Sequence, residues 1–108
     1  MTMTSKQRAF LKGLAMNLDT ILSVGKESMT EGFRNAVEEA LEANELVKIG
    51  VLKNCADDPK EIAVQLSEET KSEVVQVIGK KIVLFRTARK EEHRKIKLPK
   101  AKETKNVK

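Results

Sequence analysis

With 108 residues, 40% of them apolar, the chain has material for one domain with one modest core. No apolar run approaches the roughly 20 residues that span a bilayer, and no secretory pattern opens the chain, so a cytoplasmic protein is expected. The formal charge of +5 is unevenly spread: residues 87 to 108 carry nine Lys or Arg against three Glu, a net +6, and the first 86 residues sum to −1.

Residues 5 to 18 have helical spacing, with Phe10, Leu11, Leu14, Ala15 and Leu18 on one apolar face and Thr4 or Ser5 available as the cap. Arg8 and Lys12 lie together along the edge of that face as a basic stripe. Asp19 starts a turn, and residues 20 to 24 read as a short strand that runs into Gly25-Lys26-Glu27-Ser28. There Gly25 permits a sharp bend, Lys26 stands at its tip, and Ser28 or Thr30 can cap the next helix. Backbone N–H groups beside a cation and a helix N-terminus favour a phosphate, although a plain strand-to-helix turn has the same composition.

Phe33, Ala36, Val37, Ala40 and Leu41 mark the buried face of a second helix; Ser28 and Glu31 are spaced as its capping box, Thr30 competes as cap, and Asn44 suits its end. Residues 46 to 52 form a strand in which Lys48 shares a face with Leu46 and Gly50, opposite Val47, Ile49 and Val51, so that one face is partly open. Asp58-Pro59-Lys60-Glu61 opens a third helix that turns Ile62, Ala63 and Leu66 inward and ends near Thr70. Residues 74 to 78 and 82 to 85 flank Gly79-Lys80-Lys81 as a hairpin, and Arg86 closes the last strand. The order α-β-α-β-α-β-β predicts an α/β fold, a two-layer, four-stranded mixed sheet with three helices, over residues 1 to 86. Residues 87 to 108, with few apolar side chains and Pro99, are expected to form a mostly disordered basic tail.

No catalytic constellation can be assembled from these residues. His93 is the sole histidine and falls in the tail, Cys55 is a lone buried or loop thiol, Glu38, Glu39 and Glu42 read as solvated helix charges, and no nucleotide phosphate loop occurs. A non-enzymatic protein without metal or cofactor is the expectation. The Gly25-Lys26 loop, Arg8, Lys12, Lys48, Arg86 and the tail point instead to a polyanion, bound with an affinity that falls with salt. Phe10, Phe33 and Phe85 all fall at positions expected to be buried, so no stacking platform is offered to single-stranded bases. Structured RNA read by shape and backbone fits best; duplex DNA, or a protein-interaction adaptor with a nonspecific basic tail, are the alternatives.

Several blocks, in order, resemble a known family: Gln7-Arg8-Ala9-Phe10-Leu11-Lys12 with Ala15 and Leu18, Val24-Gly25-Lys26, Glu45-Leu46-Val47-Lys48, Glu73-Val74-Val75-Gln76-Val77-Ile78-Gly79, and Val83-Leu84-Phe85-Arg86. They are similar to the CRM domain (chloroplast RNA splicing and ribosome maturation), in its small stand-alone YhbY-like bacterial form. The resemblance implies a four-stranded sheet with three helices, similar to the C-terminal domain of translation initiation factor three. It also implies RNA binding through a G-x-x-G loop between the first strand and the second helix, and association with precursors of the large ribosomal subunit. Here that loop is Gly25-Lys26-Glu27-Ser28, with serine in place of the last glycine. The RNA-contacting residues expected on this basis are Gly25, Lys26, Ser28, Arg8 and Lys12, with Lys48 and Arg86 beside them.

Overall fold

A computed structural model describes residues 3–98. The first helix, α1 (Ser5–Ala15), opens with a reciprocal cap: the Thr4 hydroxyl accepts from the Gln7 N–H, and the Gln7 side chain accepts from the Thr4 N–H, both at 3.1 Å. It ends three residues earlier than its apolar spacing predicts, through a tight turn in which the Asn17 and Leu18 amides donate to the Leu14 and Ala15 carbonyls. Of the five residues expected to face inward, only Leu11 and Ala15 are buried; Phe10, Leu14 and Leu18 remain more than a third exposed. A lone helix lying across a sheet meets it along a narrow line, so the flanks of a wide apolar stripe stay in water.

β1 (Leu22–Val24) and β2 (Leu46–Val51) are parallel and joined through α2 (Glu31–Asn44). α3 (Pro59–Thr70) leads to the hairpin of β3 (Glu73–Ile78) and β4 (Lys81–Phe85), which Gly79 turns with a φ of 55°. β4 inserts between β2 and β3, antiparallel to both, so the sheet order is β1-β2-β4-β3. The four-stranded mixed sheet with three helices is the fold that the element order predicts.

Strand alternation then builds two cores. Val47, Ile49, Val51, Ile82 and Leu84 pack against Val37 and Leu41 of α2 and Ile62, Ala63 and Leu66 of α3. On the other face Leu46, Val75, Val83 and Phe85 pack against Leu11 and Ala15 of α1. The helices therefore cover both faces, three layers in place of the expected two, because Leu46, Val83 and Phe85 give the second face its own apolar surface.

The chain does not leave the body after β4. Ala88 is buried, a single 3-10 turn forms at Glu91–His93, and Ile96 and Leu98 pack onto the α1 side of the sheet. What holds this segment is Glu45, fully buried at the end of α2 with a φ of 67°. Its carboxylate accepts from the backbone N–H groups of Ala88, Lys95 and Ile96 at 2.7, 2.7 and 2.8 Å. The left-handed residue that ends α2 is thus Glu45, not Asn44, since these bonds aim its backbone as well as its side chain. For residues 87–98 the expectation of a disordered tail gives way: a buried acid three strands earlier supplies the partners that composition cannot reveal. The rest of the expected tail, residues 99 to 108, lies outside the described residues.

Candidate functional site

The bend after β1 is a hydrogen-bonded turn closed by the Ser28 N–H on the Gly25 carbonyl at 2.8 Å. Its central residues, Lys26 and Glu27, are exposed, and such a turn leaves their amides pointing outward. A Cβ on Gly25 would stand 3.3 Å from Leu52 Cδ1 and 3.4 Å from Asn54 Oδ1, so the small residue lets the loop after β2 lean against the bend. Ser28 has a φ of 54°, the left-handed conformation that favours glycine. At the position where the resemblance places a glycine, the serine adopts the glycine-like backbone, and its hydroxyl donates to the Asp57 carboxylate. Ser28 is therefore not the helix cap. Thr30 caps α2, accepting from the Phe33 N–H at 3.1 Å, while Cys55 is buried beneath the loop.

Parallel pairing of β1 with β2 brings both strand ends to the same side, and the β3–β4 hairpin joins them there: the Val51 N–H donates to the Lys80 carbonyl at 2.7 Å. Exposed lysines from three loops consequently share one end of the sheet, Lys26 at the bend, Lys53 after β2, and Lys80 with Lys81 at the hairpin. Among the described residues none of these four is held in an ion pair. Nearby acids are Glu27, Asp57 and Asp58, of which Asp57 is engaged by Ser28. The N-terminus of α2 adds its partial positive charge to this end.

The remaining expected site residues are placed elsewhere. Arg8 donates through Nη1 to the carbonyls of Val74 and of Val75, the latter at 3.2 Å, beside the start of β3. From the register, that corner is diagonally opposite the bend: three strand spacings and about four residues of strand rise give roughly 20 Å. Lys12 is exposed one turn further along α1, on the opposite face of the sheet from α2. Arg8 and Lys12 thus do not adjoin Lys26. The Lys48 amine donates to the carbonyls of Ala15 and Leu18, both at 3.3 Å, and so closes the end of α1 and covers the face expected to be open. Arg86 is only 7% exposed and donates to Glu38 at 2.6 Å and to the Thr70 carbonyl at 3.0 Å, with Glu42 at 3.5 Å. Arg8, Lys48 and Arg86 are structural cations, each captured by oxygens from distant parts of the chain.

Lys53, Lys80 and Lys81 are the residues that sequence reading passes over. The Gly79-Lys80-Lys81 turn is visible as a turn, but its neighbourhood follows only from strand order. A parallel β1–β2 pair is the available signal, since sites in open α/β sheets gather at strand carboxyl ends.

At the other end, the C-terminal segment is clasped by acids. The Glu42 carboxyl is pulled down to about 2 by the Arg89 N–H, the His93 ring and the Lys90 N–H, against a small opposing effect of burial. For Glu45, burial pushes the carboxyl up, but the amides of Ala88, Ile96 and Lys95 and the charge of Arg94 outweigh it and hold it below the ordinary value. Among the described residues, no group of three or more His, Cys, Asp or Glu could hold a metal ion, and no helix is long and apolar enough to cross a membrane.

A sheet of order β1-β2-β4-β3 with a Gly-Lys bend between its first strand and second helix agrees with the fold and loop that the resemblance implies, and the chain belongs to the CRS1 / YhbY (CRM) domain family, whose sequence model matches residues 3–86. It is similar to the Bacillus subtilis protein named "Probable RNA-binding protein YqeI", with 39% identity over 97 residues covering 90% of this chain and 99% of that one. A Haemophilus influenzae protein named "RNA-binding protein" is 38% identical over 98 residues, 91% of this chain and 96% of its own. The solution structure of a hypothetical protein from Staphylococcus aureus superposes with a TM-score of 0.74 at 43% identity, covering 91% of this chain and all of the other.

Proposed function

We propose that this chain is a non-enzymatic, cytoplasmic RNA-binding protein acting in large ribosomal subunit assembly, and that it grips the RNA backbone at the Gly25 end of the sheet. One observation carries the reading: Lys26, Lys53 and Lys80 converge from three loops around an exposed turn and a helix N-terminus, with no ion pair among the described residues to neutralise them. Gly25 and Ser28 shape the turn; the lysines and the turn's outward amides meet phosphates. The names of the relatives support RNA as the ligand, and the family resemblance supports the ribosomal role. Arg8, Lys48 and Arg86 lie away from this surface, each bonded to oxygens of the fold: strand carbonyls for Arg8, the end of α1 for Lys48, and Glu38 with the Thr70 carbonyl for Arg86.

Lys26→Glu combined with Lys53→Glu should weaken binding to structured RNA by roughly tenfold or more at moderate salt and lower the salt slope by about 0.7–0.9 for each phosphate that is no longer neutralised. Unchanged affinity and slope in a folded variant would overturn the site. Crosslinking in cells, followed by mapping of the bound RNA, tests the ribosomal role, and RNA drawn from outside large-subunit precursors would count against it.

The adaptor alternative has one observation in its favour. Phe10, Leu14, Met16, Leu18 and Ile21 are all exposed along α1 and the segment after it, more apolar surface than a lone RNA reader needs. If Leu14→Glu releases the protein from ribosomal particles while the lysine variants do not, the adaptor reading replaces the first.

A further inference from the structure

A second group of polar atoms lies beside the Lys26 turn, on the side of the sheet that α1 shares. Register places three residues in a row across the strands: Ser23 of β1 pairs with Gly50 of β2, and Gly50 pairs with Lys81 of β4. Residues directly opposite one another point to the same face. With no side chain at Gly50, the Lys81 side chain folds over β2 toward β1. Its Nζ lies 3.6 Å from the point where a Gly50 Cβ would stand, Ser23 Oγ lies 3.8 Å from that point, and Thr20 Cγ2, at 3.1 Å, closes the remaining side. Lys81 and Ser23 are exposed.

The contrast with the other placed cations decides what this lysine is for. Lys48 closes a helix end, Arg8 binds two strand carbonyls and Arg86 is buried among carboxylates. Lys81 has no carboxylate or carbonyl partner among the described residues, yet its amine and the Ser23 hydroxyl of the neighbouring strand both border the notch at Gly50. A cation and a hydroxyl converging over a residue without a side chain suit a tetrahedral anion. Ser23 is three residues before Lys26, roughly 10 Å along the strand, so the two positions can serve one RNA strand.

We infer that Lys81 and Ser23 form a second RNA-phosphate subsite on the α1 side of the sheet, with Gly50 as the positioning residue that lets the lysine cross β2. The inference rests on the RNA reading above and adds an anchor that the turn does not supply. A phosphate here accepts from the Ser23 hydroxyl and from the Lys81 ammonium, and it extends the grip from the loops onto the strands.

The test uses the full chain, a structured RNA and fluorescence anisotropy over a range of salt. Lys81→Met should bind roughly three- to tenfold more weakly with a salt slope lower by about 0.7–0.9, and Lys71→Met, at the opposite end of the sheet, should bind as wild type. Gly50→Ala removes no charge, yet it should weaken binding in the wild-type background and have no further effect when Lys81 is already Met. Should Gly50→Ala not fold, Ser23→Ala replaces it in the same cycle: its effect should shrink in the Lys81→Met background. Wild-type affinity for Lys81→Met, or strictly additive effects of the Ser23 and Lys81 substitutions, overturns the subsite. If Lys26→Glu still weakens binding in that case, the turn survives without it; if Lys26→Glu is also silent, the underlying RNA reading is what has failed.

Discussion

Glu45→Gln is the substitution on which the C-terminal architecture turns. The carboxylate is fully buried and takes two amides on Oε1, from Lys95 and Ile96, and one on Oε2, from Ala88. A glutamine of the same shape can offer an oxygen to only one of those positions, and its NH2 group must face an N–H at the other. With the amide oxygen kept toward Lys95 and Ile96, the Ala88 N–H loses its acceptor, and the two remaining bonds lose their charge assistance. One buried donor left unsatisfied costs about 1–3 kcal/mol, so a loss of about 2–3 kcal/mol is expected. That is a large share of the roughly 5–15 kcal/mol of a typical domain. The left-handed backbone at this position is equally strained with either residue, so the comparison isolates the side-chain bonds. Urea unfolding measures the loss, and limited trypsin digestion reports on the segment itself, since Arg89, Lys90, Arg94 and Lys95 become cleavable once it lifts. Stability within about 0.5 kcal/mol of wild type, the ordinary range for a surface change, with unaltered cleavage at these residues, would refute the view that Glu45 pins the segment.

Arg86→Met should cost about 1–3 kcal/mol in denaturant unfolding, because it leaves the Thr70 carbonyl without its donor and the half-exposed Glu38 without its cation, and the folded fraction should keep its RNA affinity; a stable variant with weakened RNA binding would return Arg86 to the interface. Ser28→Gly should hold stability or raise it by about 1 kcal/mol, as relief of the left-handed backbone offsets the missing Asp57 bond, whereas Ser28→Ala should lower it by about 1 kcal/mol; thermal melts in which alanine is the better replacement would contradict the assigned geometry. The clasp should also respond to acid. Glu42 and Glu45 have folded values below their ordinary one of 4.5, so their stabilisation is fully present above that pH and is lost as pH falls through the folded values, about 2 for Glu42. Amide exchange at Ala88, Lys90 and Ile96 should therefore quicken, relative to the core strands, between about pH 4.5 and 2; weakening on the alkaline side instead would reverse the assignment.

Helical and strand periods, 3.6 and 2, act over neighbouring residues, which is why the sequence alone determined the element order, the Asp58-Pro59 start of α3, the Gly79 turn, and the division of β2 into one face with Val47, Ile49 and Val51 and another with Leu46 and Lys48. The Gly25-Lys26 bend was legible for the same reason, because a turn is a local event. Which charges stay free was decided elsewhere. Insertion of β4 beside β2 delivered Lys80 and Lys81 to the bend, while the carbonyls of Val74 and Val75, the end of α1 and the acids of α2 captured Arg8, Lys48 and Arg86. The C-terminal segment has the composition of a tail for the same reason, since its order depends on two glutamates at the end of α2, Glu42 and Glu45, about 50 residues away in the chain. A lysine or arginine is available to a ligand only when no oxygen of its own protein lies closer, and that distance exists only once the chain has folded.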